Sequence, residues 1–560
     1  MGQLLTRQLR SIRFVVAALS LALAGCRAAP SSNKGSNARE LLVSVRTEPR
    51  NFTRLGAREE ATDLVALLLH AGLVRINRTT DEVEPWLAES WSVSADERQF
   101  TIKLRPNLQF SDGHALTADD VVFSFEASYA VNDTMKVGGK PLAVKAIDPA
   151  TVIVTFPQPF APGMRLLDNL VILPRHKLES ALKNGTLAKA WGVSTPPSDL
   201  VGAGPFVLAS YQPGQRLVFD RNPRYWRRDA RGEVLPYLDR LTLDVIPDEN
   251  TQLLRMQSGE TDATGSALPA ESYASLKQGA TAGKIRLYDL GAGLYPDMLW
   301  FNLKPGAFAG DPRASWIQRD ELRQAISLAV DRKTFLDTVF LGAGVPMFGP
   351  VSPANKRWHW AGTPETPHDP ERARQLLASI GITPSNPARF TIATMKGRPS
   401  FERAVTVIRD ELKKIGVTVD TAALEGNALI QEILVVRKYD AAYFNFSLSD
   451  TDPAMSPDFW TSAGSEHIWN PEQKTPAAPW EARIDELYRQ QVGAVQDHER
   501  KRLFNEIQKI FVEHQPIVYF AAPRVFVASS MRVGNAAPSV VPPRLLWSPD
   551  TLTIAAPAEK

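Results

Sequence analysis

The chain is 560 residues long, 44% hydrophobic and 22% charged, so it holds ample core material for three or four globular units. Its 64 Lys and Arg against 61 Asp and Glu leave a net charge of only +3 with no basic run, which argues against nucleic acid as a partner. A single cysteine, Cys26, excludes an intrachain disulfide and a thiolate metal cluster.

Residues 1–25 open with Arg7, Arg10 and Arg13, carry no acid, and continue into an apolar run over 14–24. That run has the length of a signal-peptide core and is short for a membrane span. Leu23-Ala24-Gly25-Cys26 resembles a bacterial lipobox, where the thiol takes a diacylglyceryl group and cleavage falls just before it. Lipid attachment at Cys26 is therefore expected, holding the protein on a membrane rather than through it. Removal of residues 1–25 would leave no formal net charge. Residues 26–39, rich in Ser, Asn and Ala, read as a flexible tether.

Residues 41–45 pattern as a first strand and 61–70 as a helix with an apolar face. The stretch 85–126 then reads as a β-β-α unit. Residues 99–105 alternate, with Phe100, Ile102 and Leu104 on one side. Ser111-Asp112-Gly113 forms a turn, because Asp bonds its own backbone and Gly tolerates positive φ. Thr117 is a helix N-cap, and Asp119 and Asp120 follow in the first turn, where the helix dipole favours carboxylates. These acids cap and turn; they need no catalytic explanation.

A strand is predicted over 151–156, and a hairpin over 206–211 and 216–220. The Gly-rich VGAGP at 201–205 lacks the GKS or GKT ending of a phosphate loop and reads as a turn where the chain changes domain. A strand over 241–246 and a helix over 250–258, stopped by Gly259, come next. An amphipathic helix is predicted over 321–332, with Leu322, Ala325, Ile326 and Ala329 on one face. After a connector over 346–367, strands at 390–395, 417–422 and 440–446 interleave with a helix at 402–415. Helices at 479–491 and 497–513 precede a last strand near 517–521. This alternation predicts α/β wrapping, and the proline-rich tail after Pro538 is expected to pack back on the first lobe.

Enzyme signatures are missing or incomplete. There is no G-x-S-x-G elbow and no H-E-x-x-H pair; His498-Glu499 lacks the second histidine. Ser180 to Lys183 spells S-x-x-K, but Lys474-Thr475 is followed by Pro476 and no S-D-N accompanies it. The eight histidines never fall at metal-ligand spacing.

PWLAESW, LRPNLQFSDG and LTADDVVFSFE, in that order over 85–126, resemble the family 5 extracellular solute-binding proteins. So do GLVR at 72–75, RNPRYW at 221–226, GETD at 259–262 and WFNL at 300–303. The resemblance covers nearly all of 40–530. It implies an α/β, periplasmic binding protein-like fold: two lobes with a hinge, and a small extra domain inserted in the first lobe. The implied divisions are 40–74 and 201–297 for the first lobe, 75–200 for the inserted domain, 298–525 for the second lobe, and 526–560 for the return to the first. It also implies a monomeric receptor without cofactor, metal or catalytic residue, lipid-anchored at a bacterial membrane in the periplasm or at the cell surface. Such a receptor captures small peptides and hands them to the permease subunits of an ATP-binding cassette importer. Oligosaccharide or metal-chelate ligands are the alternative, kept open by twelve tryptophans. The opposing class is a surface-anchored hydrolase of peptides or glycans.

Strand ends in α/β lobes are where ligands usually sit, which points to Tyr443 and Phe446 and the loop after them. Peptide-binding members carry an amine-pairing aspartate in that loop, before an acid-Pro pair. Asp452-Pro453 matches the acid-Pro pair, but the aspartate position falls on Ser449, with Asp450 one place later. Arg398, in KGRPS, matches the arginine that holds a ligand carboxylate in dipeptide-binding members, a task its planar fork suits. Trp460 joins the aromatics as a candidate pocket wall, with core packing the competing role.

Overall fold

The computed structural model describes residues 39–55, 59–131, 135–445, 448 and 450–556. Cys26, the signal segment, nearly all of the tether and Phe446 lie outside the described residues.

Three sheets carry the fold. In the largest, of eight strands, Glu40–Val45 lies at the centre, parallel to Arg240–Val245 on one side and to Ala263–Thr264 on the other. The hairpin Phe206–Gln212 and Arg216–Arg221 extends one edge. Ala521–Ser530, paired antiparallel to Ile285–Ala292, extends the other. The second sheet has five strands: Thr418–Leu424, Arg389–Met395 and Ala441–Phe444 run parallel, and Met298–Phe301 and Ile517–Tyr519 complete it. Strands buried on both faces read as apolar runs, as in Met298–Phe301, where all four side chains are buried. The third sheet, four antiparallel strands including Gln99–Leu104 and Thr151–Thr155, is inserted in sequence between the first strand and the hairpin of the large sheet. The result is a two-lobed α/β fold with a small domain inserted in the first lobe.

The chain passes from the large sheet to the second over residues 293–297, touches the large sheet again where Gly344–Pro346 pairs with the start of Ala521–Ser530, and returns at Phe520, between Ile517–Tyr519 and Ala521–Ser530. The two crossings touch: Gly293 N donates to Pro523 O at 2.7 Å and Asp297 N to Ala521 O at 3.3 Å. This is the hinge.

Local choices explain how the pieces are held. Asp120 Oδ2 accepts from Thr117 N at 2.9 Å, and its Oδ1 accepts from Arg175 N at 3.0 Å, so one carboxylate both caps its helix and binds the next segment. Gly202 and Gly204 of VGAGP press against the end of helix Glu60–Leu69. A Cβ at Gly202 would stand 1.9 Å from Leu69 O. The helix expected over 321–332 is two, Asp320–Ala329 and Arg332–Val339. Asp331 divides them, because its side chain accepts from Lys333 N and Thr334 N and caps the second. The tail is tied to the first lobe and the inserted domain: Asp550 Oδ2 accepts from Arg227 Nη1 at 2.6 Å and from Tyr225 Oη at 3.0 Å, while Ser539 Oγ donates to Arg78 O.

Candidate ligand cleft between the lobes

Parallel strands in both lobes end toward one cleft. Val45 ends the central strand of the first lobe, Arg46 and Thr47 follow it, and Gly265 and Ser266 follow Ala263–Thr264. From the second lobe, Arg398 follows Arg389–Met395 and stands before Pro399 at the first position of helix Pro399–Lys413. With Glu60, Ala61 and Leu64 these residues line a half-open cavity of about 230 Å³. Two of its charges are already matched within the first lobe: Arg46 pairs with Glu249, and Glu60 with Arg544 at 2.9 Å. Arg398 is exposed and has no ion pair among the described residues. Among the described residues the cavity therefore carries one uncommitted cation, delivered by the lobe opposite to the rest of its wall.

The lobes also meet beside this cavity. Arg403, one turn along the helix that Arg398 precedes, pairs with Glu271 of the first lobe and donates to Val339 O at 2.7 Å. Farther along, Arg165 of the inserted domain reaches the loop that follows Ala441–Phe444. Its Nε donates to Asp450 Oδ1 at 2.6 Å, and its Nη2 donates to Asp81 Oδ1 and Thr451 Oγ1, each at 2.6 Å. Burial works against the Arg165 charge, but Asp450 and Asp81 outweigh it and raise its pKa.

The residues expected at the site separate into different settings. Arg398 faces the cavity. Asp450, one place after the position expected to meet a ligand amine, is buried against Arg165 and bridges two domains in this conformation. Asp452 is buried too, held at both oxygens by Arg500 at 2.6 and 2.9 Å. Trp460 packs edge-on against Phe504 and Phe459, with ring centroids 5.0 and 4.9 Å away, inside the second lobe. Tyr443 is fully buried, and its Oη donates to Asp297 Oδ2 at 3.0 Å. Phe446 lies outside the described residues.

Two participants gave little sequence signal. Arg165 lies in an unpatterned stretch, and nothing local announces a partner 285 residues away. Asp297 stands directly before the apolar MLWF, and an acid at the mouth of a buried strand was the available clue. Among the described residues, no group of three or more His, Cys, Asp or Glu is placed to hold a metal ion, and no helix is long and apolar enough to cross a membrane.

Comparison with known proteins agrees with this architecture. Residues 82–467 match the family model for bacterial extracellular solute-binding proteins, family 5 Middle. A probable ABC transporter-binding protein of Deinococcus radiodurans is 26% identical over 514 residues, covering 85% of each chain. The oligopeptide-binding protein AppA of Bacillus subtilis is 24% identical over 549 residues, covering 92% of this chain and 93% of its own. Among solved structures, the ABC transporter substrate-binding protein CtaP of Listeria monocytogenes superposes with a TM-score of 0.77 at 21% identity, over 93% of this chain and all of that one, which speaks for the fold. With the match extending over most of the chain, this protein belongs to the family 5 bacterial extracellular solute-binding proteins.

Proposed function

We propose that the protein is the capture subunit of an ATP-binding cassette importer for peptides. It is held at a bacterial membrane by lipid on Cys26, closes its lobes on the ligand, and presents the closed form to the permease. It performs no chemistry itself. The observation that carries the ligand class is Arg398, an uncommitted guanidinium facing a cavity walled by the opposite lobe. A guanidinium forks onto a carboxylate with two parallel hydrogen bonds, so a peptide C-terminus suits it. The Bacillus subtilis relative, named an oligopeptide-binding protein, supports the same class. A ligand held by both lobes favours the closed state only through its extra contacts there, which an interlobe carboxylate contact supplies. In this reading Asp450 serves closure through Arg165, and Tyr443 acts through Asp297.

The test is titration calorimetry with peptides carrying a free C-terminus and with the same peptides amidated. Free peptides are expected to bind about tenfold or more tightly, with that preference lost in Arg398→Ala. Equal affinity for both forms in the unaltered protein would overturn the assignment.

A further inference from the structure

We propose that Asp297 couples lobe closure to proton uptake. It is the last residue of the crossing from the first lobe to the second, and it is 1% exposed. Its backbone N–H bonds to Ala521 at the start of the returning strand, while its carboxylate is gripped by the second lobe. Tyr443 Oη donates to Oδ2 at 3.0 Å and Asn445 Nδ2 to Oδ1 at 2.7 Å. Both donors are neutral, and no cation faces the carboxylate among the described residues. Tyr295, two residues earlier, is neutral as well; its Oη donates to Leu448 O at 3.1 Å. Asp450 and Asp452, on the loop that Asn445 opens, already have Arg165 and Arg500.

A buried carboxylate with only neutral donors is costly as an anion, so burial pushes Asp297 from 3.8 up to about 6 although Tyr443 and Asn445 pull it down. Opening bends the chain at 293–297 and releases Arg165 from Asp450 and Thr451, which follow the Leu448 carbonyl that Tyr295 of the crossing binds. Water then reaches the carboxylate, and its pKa returns toward the ordinary value. Closure therefore takes up a proton between these two values. The closed-to-open ratio falls about tenfold for each pH unit as pH rises from about 4 to about 6, and levels off above.

The experiment is small-angle scattering on the protein without added solute, which does not depend on the peptide assignment. Asp297→Asn, neutral at every pH, is expected to be more compact than the unaltered protein at pH 7 and to lose the difference at pH 4. Tyr443→Phe removes a donor that favours the anion, and is expected to shift the population the other way at pH 7, toward the open form. Identical dimensions for all three proteins at pH 7, or a pH dependence unchanged by Asp297→Asn, would overturn the coupling.

Discussion

Arg165 and Asp450 lie 285 positions apart and meet at 2.6 Å, the guanidinium from the inserted domain and the carboxylate from a loop of the second lobe. Their side chains are 6% and 5% exposed, so the pair is desolvated as well as close. Removing one partner of such a pair leaves an uncompensated buried charge. Arg165→Ala strands Asp450 and removes the hold on Asp81, and should cost about 3–5 kcal/mol by urea unfolding. Asp450→Ala should cost less, because Arg165 retains Asp81 and Thr451. The double variant should recover part of the Arg165→Ala loss. Losses that simply add would show that the two residues are energetically independent.

Gly202 is required by a close approach rather than by an unusual φ. With Leu69 O only 1.9 Å from a Cβ there, Gly202→Ala forces backbone against backbone. A loss of about 1–3 kcal/mol is expected, the usual cost of overpacking. The same substitution at Gly214, where a Cβ meets nothing within 4 Å but φ is +70°, isolates the backbone strain. A Gly202 variant no worse than the Gly214 variant would contradict the close-approach account.

His70 gives the fold an acid-sensitive point of its own. Its Nε2 lies 3.0 Å from Phe52 O, and since a carbonyl only accepts, Nε2 carries the proton. Nδ1 is buried and has no hydrogen-bond partner among the described residues. Burial lowers its pKa from 6.5 to about 4, with the Phe52 bond opposing. The unfolded chain therefore binds a proton before the folded one does, and stability falls as pH drops from about 6.5 toward 4. At about 1.4 kcal/mol per unit the loss approaches about 3 kcal/mol. Unfolding by urea at pH 7.5 and pH 5 should show a smaller drop in His70→Gln than in the unaltered protein. Equal drops would assign the acid sensitivity elsewhere.

Local order was legible where a single segment decides its own structure. Alternation marked Gln99–Leu104, and apolar spacing marked Asp497–His514 within a residue at its end. Asp120 reads as a capping acid in the first turn, and its carboxylate accepts from Thr117 N. The misreadings occur where distant contacts choose. Asp331 is the local exception: it looks like a continuation of its helix, but its side chain caps the next one, two and three residues on. Ala521–Ser530 is a ten-residue strand whose sequence, with Pro523 near its start, does not announce a partner; Ile285–Ala292 supplies one from far upstream. The candidate site followed the same rule. Arg398 was visible as a local motif, whereas the engagement of Asp450 by Arg165, and of Asp452 by Arg500, depends on how domains pack.

The most direct test of peptide capture is thermal unfolding of protein truncated after Cys26, against di-, tri- and oligopeptides beside a set of oligosaccharides. A peptide present at 100 times its Kd should add about 2.7 kcal/mol and raise the Tm by a few degrees, with the shift reduced in Arg398→Ala. No shift with any peptide, together with a shift from a sugar, would contradict the account and move the protein to a different ligand class within the same fold.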